Sequence, residues 1–124
     1  PDVKFADREA GRRLAGAGNY FDVVKRALKE MHAQVGDLRI DEDGLAWRGL
    51  LVRHLVLPGG LAGTEQVLAF IAEEISRETY VNIMAQYFPH YRARDYPPLD
   101  RPLDRGEYRE AVAIARRLGL TRLA

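Results

Sequence analysis

The run Leu50-Leu51-Val52-Arg53-His54-Leu55-Val56-Leu57 is apolar at all but two positions. Such a run predicts a strand buried on both faces, as in a parallel sheet covered by helices. Pro58 ends it by withdrawing a ladder donor, and Gly59-Gly60 permit a tight turn. Beyond Leu61-Ala62-Gly63, Thr64 offers a side-chain cap and Glu65 a favourable first-turn charge. The helix that follows, 64–75, carries Val67, Leu68, Ile71 and Ile75 on its inward face. Strand, glycine turn and helix form the unit around which the other elements fall. Its polar intrusions, Arg53 and His54, must take opposite faces of the sheet, because strand side chains alternate.

Upstream, Pro1-Asp2-Val3-Lys4-Phe5 reads as the last turn of a strand, and 6–16 as a short helix capped by Asp7 and anchored by Leu14. Asn19 is the predicted cap of a helix over 20–35. Val24, Leu28, Met31 and Val35 form one face of that helix, Lys25, Arg26, Lys29 and Glu30 the other, and Gly36 ends it in a left-handed position. Residues 38–48 predict a β-hairpin turning at Asp43-Gly44. Asp41-x-Asp43-Gly44 lacks the downstream ligands of a calcium loop, so the turn reading prevails. A second buried strand spans 80–87, interrupted by Asn82 and Gln86. The connection 88–103 is long enough to mark a functional loop. Asp104-x-x-Glu107 opens a helix over 105–118, with Tyr108, Ala111, Val112, Ala115 and Leu118 inward. Gly119 stops it, and 120–123 is a candidate last strand.

Alternation of this kind implies right-handed βαβ crossovers and a parallel sheet. A sheet of three or four parallel strands on its own leaves its edges and one face uncovered. The expectation is therefore an α/β chain forming the open half of a TIM-like barrel, with residues 1–124 as one partial domain of something longer. Strands 1–5, 50–57 and 80–87 should pair in parallel with helices on one side, and the hairpin should lie outside the sheet as an insertion. Exposed apolar residues on the inner face should make the isolated chain self-associate.

Composition narrows the classes. Hydrophobic residues make up 47% and charged residues 30%, a globular rather than disordered balance. The net charge of +1, with both signs interspersed, advertises neither a nucleic-acid nor a membrane partner. No apolar run approaches the roughly 18 residues needed to span a bilayer, and a cytoplasmic location is the default expectation. The absence of cysteine excludes disulfides, thiolate nucleophiles and any iron–sulfur cluster held by this segment itself. His32, His54 and His90 lack metal-ligand spacing.

The candidate chemistry lies on the strands. Asp2 and Lys4 share one face of the first, Arg53 lies on the second, and Asn82, Met84 and Gln86 share a face of the third. Near the carboxyl ends of barrel strands such residues converge on a polar ligand. Equally, Asp2, Lys4 and Arg53 form an ion-pair network that fills a lumen. The Pro58–Gly63 turn is a weaker candidate for anion binding, because it has neither the lysine nor the spacing of a P-loop. Residues 87–96 interleave Tyr87, Phe88, Tyr91 and Tyr96 with Arg92 and Arg94, as some single-strand nucleic-acid binders do. With no wider basic stripe, a loop packed over the barrel mouth is the better reading.

The segments PDVKF, MHAQVGDLRIDEDGLAWRGLLVRHLVLPGGLAGT and YVNIMAQYFP resemble the C-terminal half of radical SAM proteins related to pyruvate formate-lyase activating enzymes, in their uncharacterised iron–sulfur branch. RGLLVRHLVLPGG is the most specific part. The resemblance implies a (β/α)6 partial barrel whose missing N-terminal half carries a CxxxCxxC loop and a [4Fe–4S] cluster. S-adenosylmethionine bound there is cleaved reductively to a radical that abstracts hydrogen, from a glycyl radical enzyme in the activating enzymes. It also implies that Asp2 and Lys4 belong to the S-adenosylmethionine site, the lysine toward its carboxylate, and that Arg53 and Leu55 contact its ribose and adenine portions. The cysteine motif is absent, so the chain alone should be inactive, and NIMAQY stands where the formate-lyase activators carry a histidine motif. The alternative is a non-catalytic α/β interaction domain, or a small-metabolite module built on the PGG turn.

Overall fold

The computed structural model describes all 124 residues. The chain is mixed α/β. Its helices are α1 (Arg8–Ala15), α2 (Tyr20–Val35), α3 (Thr64–Phe70) and α4 (Arg105–Arg117), and its strands β1 (Arg39–Ile40), β2 (Ala46–Arg48), β3 (Leu51–Leu55) and β4 (Tyr80–Met84). No helix is long and apolar enough to cross a membrane.

β3 and β4 pair in parallel, with Arg53 opposite Asn82 and Leu55 opposite Met84. Each flank carries a further parallel bridge, Asp2 to Arg53 on one side and Leu123 to Val81 on the other. The four segments therefore lie side by side in chain order. On the first flank, Arg53 N–H donates to the Pro1 carbonyl and Val3 N–H to the Arg53 carbonyl. The ladder does not continue from Leu55 N–H to the Val3 carbonyl, which accepts from His54 Nδ1 at 2.7 Å. This limits the expected strand 1–5 to a single bridge. The expected strands 50–57 and 80–87 are likewise shorter, at five residues each.

Val3, Val52, Val81 and Ile83 turn to the helices and are buried with Val67, Leu68, Ile71 and Ala115 in the main core. Burial of β3 on both faces is not what the structure shows. Its helix-facing Val52 and His54 are buried, whereas Leu51 and Leu55 are half-buried and Arg53 exposed. The helices cover one side only, and the other is open. The hairpin of β1 and β2 stands outside this sheet as a separate antiparallel pair. Asp41 Oδ1 accepts from the N–H groups of Asp43 and Leu45, so the acidic turn consumes its own carboxylate. Gly49 fits the hairpin's base at φ 113°, where a Cβ would run into the Asp37 backbone.

α2 forms over the expected residues, but its apolar face is only half used. Leu28 is buried and Phe21 packs edge-on against Phe70, whereas Met31 and Val35 are 40% and 36% exposed because the last turns run past that contact. Asn19 makes no side-chain cap, and Gly36 ends the helix at a positive φ of 71°, as expected of a glycine, but with ψ −164° rather than the left-handed helical value. Asp7 caps α1 through Ala10 N–H, as expected. The 64–75 helix is α-helical to Phe70 and closes through a π-helical turn, Ile71–Ile75. In α4 the capping box forms as expected, and Ile114 joins Ala111 and Ala115 on the buried face.

Candidate functional site

Parity assigns the open face of the sheet. With Val3, Val52, His54, Val81 and Ile83 against the helices, Asp2, Lys4, Arg53, Leu55, Asn82 and Met84 lie on the other side. Arg53 Nε donates to Asp2 Oδ1 at 2.6 Å, and Lys4 Nζ lies 3.9 Å from Asp2 Oδ2. The hydrogen bond from Arg53 holds the Asp2 carboxyl below its ordinary range, and the same contact raises the guanidinium. The bridge uses Nε alone, leaving the two terminal nitrogens of Arg53 as donors. Leu55 and Met84 make an apolar step beside these charges, and Gln86 Nε2 lies 3.4 Å from Met84 Sδ. Asp2, Lys4 and Arg53 thus come together as expected. Leu55, Asn82 and Met84 share their face, and Gln86 adjoins it past the strand end.

His54 is fully buried on the opposite face. Nδ1 meets the Val3 carbonyl at 2.7 Å and Nε2 meets Thr64 Oγ1 at 3.0 Å. A carbonyl only accepts, so the neutral ring carries its proton on Nδ1 and accepts the Thr64 hydroxyl at Nε2. Burial lowers the imidazole's pKa below 6.5, against the raising effect of the Val3 carbonyl. Thr64 was expected to cap α3; its hydroxyl serves His54 instead, and Gly63 occupies the cap position.

The PGG turn has an anion already. Glu107 accepts from Gly59 N–H at 2.7 Å, from Asp104 N–H at 2.9 Å and from both terminal nitrogens of Arg101. These bonds, led by Arg101, hold its carboxyl down to about 2. The loop thereby ties the turn to the start of α4, and the weaker expectation of an external anion at Gly59 loses its donor. Loop residues Ala93, Tyr96 and Leu99 pack with Phe5, Ala10, Leu57 and Ala62 in a second core at the carboxyl ends of the strands. The 88–103 connection therefore does cover that end of the sheet.

Tyr20 was not foreseen. Its hydroxyl donates to the Asp2 carbonyl and accepts Lys4 N–H, each at 3.0 Å. Those are the backbone groups of the 1–5 segment that turn away from β3. No sequence pattern marks a helix-opening tyrosine as the partner of a strand edge. His32 lies 3.0 Å from Asp37 Oδ1, and His90 lies beside Phe88 in the loop.

The fold and site define an α/β unit with a four-membered parallel arrangement, helices on one face and a charged, open opposite face. No protein-family model matches the chain, and no solved structure matches it. It is 34% identical over 120 residues to an uncharacterised protein of Methanocaldococcus jannaschii, an alignment covering 96% of this chain and 31% of that protein. The chain thus spans about a third of the length of the relative it matches.

Proposed function

We propose that the chain is the C-terminal, S-adenosylmethionine-binding half of a radical SAM partial barrel resembling the pyruvate formate-lyase activating enzymes. The observation that carries the proposal is the open face, where Lys4 and the free terminal nitrogens of Arg53 stand beside apolar Leu55 and Met84. Parallel segments in unbroken chain order, covered by helices on one side, are how a barrel wall is built. The greater length of the archaeal relative leaves room for the other half of such a wall.

The donor set fits the ligand. Lys4 suits its carboxylate, Arg53 its ribose hydroxyls and Leu55 its adenine face, with Asp2 holding Arg53 in place. When bound to a reduced iron–sulfur cluster, S-adenosylmethionine supplies a hydrogen-abstracting radical. The cluster does not fit this chain, which has no cysteine and no group of three His, Asp or Glu placed to hold a metal. Its ligands, a CxxxCxxC loop in the N-terminal half, belong to other residues of the parent. The substrate would be a glycyl radical enzyme or another protein, and the cytoplasm the compartment.

A second reading is favoured by Tyr20. A sheet edge already occupied by a hydroxyl, with Asp2 and Arg53 paired to each other, suits a non-catalytic α/β interaction domain. The test is Arg53→Leu in the parent protein, anaerobically reconstituted. Loss of charge-assisted donors should weaken S-adenosylmethionine binding about tenfold by calorimetry, with cluster absorbance unchanged. Unchanged affinity would reduce Arg53 to the structural role of the second reading.

A further inference from the structure

Where α1 meets the 88–99 loop, an open cleft of about 480 Å³ lies over the carboxyl ends of the strands. Phe5, Leu57, Tyr87 and Leu99 form its apolar lining, with Phe88 and Tyr91 at its exposed rim. A cleft of this size with aromatic walls and a few polar groups has the dimensions of a small-molecule site. Its charges all have one sign, Arg13 and Arg92 with no lining carboxylate. Arg92 is already engaged, donating from Nε to Asp95 Oδ2 at 3.1 Å and lying over the Tyr96 ring. Arg13 takes part in none of the molecule's ion pairs. Tyr91 is 94% exposed yet held at φ 50°, a backbone region that non-glycine residues seldom adopt. Strain that packing does not explain is characteristic of ligand-contacting loops.

We propose that this cleft binds a small organic anion with a planar apolar body, the ring system lying against Tyr87 and Tyr91 and the anionic group on Arg13. The unpaired guanidinium sets the sign of the ligand's charge, and the aromatic walls set its shape. The inference goes beyond the radical SAM reading and does not rest on it, because Asp2, Lys4, Arg53 and Leu55 do not line the cleft.

The test titrates the chain with anilinonaphthalene sulfonate, an anion with a planar naphthalene body that fluoresces in apolar sites, and with its uncharged counterpart phenylnaphthylamine. The anion should bind more tightly than the neutral dye. Arg13→Gln, a change at an exposed position, should weaken the anion about tenfold, the worth of one charge-assisted contact, and leave the neutral dye unaffected. Arg13→Lys should recover part of the loss, and circular dichroism should show every variant folded. Equal affinity for the two dyes, indifference of the anion to Arg13→Gln, or no binding at all would overturn the proposal. So would loss of binding on Trp47→Ala, which would place the dye on the exposed hairpin instead.

Discussion

Replacing His54 with leucine tests whether the buried imidazole ties the first segment of the sheet to the start of α3. Leucine is of similar size and leaves the apolar packing filled, so the main loss is two hydrogen bonds. The Val3 carbonyl, on a residue with no exposed surface, loses the one hydrogen bond it accepts. An unsatisfied buried acceptor costs about 1–3 kcal/mol. Thr64 is half-buried and recovers part of its bond from water, adding up to about 1 kcal/mol. The sum, about 1–4 kcal/mol, is a large share of a domain's usual 5–15 kcal/mol. Urea unfolding followed by circular dichroism should show the midpoint falling by about 0.5–2 M. The pH dependence is an independent check. His54 has its folded pKa lowered by burial, so the unfolded chain binds the extra proton more readily. Its contribution is complete above 6.5 and is lost as the pH falls through the lowered folded value. The wild type should lose up to about 1.4 kcal/mol per pH unit in that window from this group. The variant should lack that slope, with His32 and His90 common to both proteins. Equal stability at neutral pH, together with equal slopes below it, would refute the account.

Glu107→Gln should loosen the PGG turn, because a neutral amide holds Arg101 and the Gly59 N–H more weakly; the expected cost is about 1–2 kcal/mol by urea unfolding. Glu107's folded pKa is depressed, so its contribution should be complete above 4.5 and lost as the pH falls through about 2. Tyr20→Phe should cost about 0.5–1.5 kcal/mol and speed hydrogen exchange at the Lys4 amide, which loses its acceptor; an unchanged exchange rate would show that the edge is protected otherwise.

Local patterns made much of the fold legible. The 20–35 helix follows from its periodicity, the capping box from Asp104 and Glu107, and the opposite orientations of Arg53 and His54 from strand parity alone. What escaped depended on distance along the chain. Tyr20 meets Asp2 and Lys4, Thr64 meets His54, and Glu107 reaches Gly59 only because packing brings their elements together. Periodicity also says which side of a helix is apolar, not how much surface lies beneath it. Met31 and Val35 belong to the right stripe of α2 and still face solvent. The one-sided burial of β3 has a related cause: a run of apolar residues does not by itself say that both faces of the strand are covered. That Asp2 and Lys4 share one face, and that Arg53 turns away from the face of His54, was readable from strand parity, whereas the hydroxyl closing the edge beside them was not.

Tyr20 makes the two borders of the sheet unequal. Beside Leu123 the backbone N–H and C=O of that residue have no partner in the chain, so an added strand would gain its bonds at no cost to existing ones. Beside Asp2 and Lys4, a newcomer must first evict a phenol that satisfies both groups, and then find that phenol another partner. Docking on that side is therefore an exchange reaction rather than an addition. Its net free energy is smaller than the count of new hydrogen bonds suggests, and its rate is set partly by how readily the start of α2 swings its ring away.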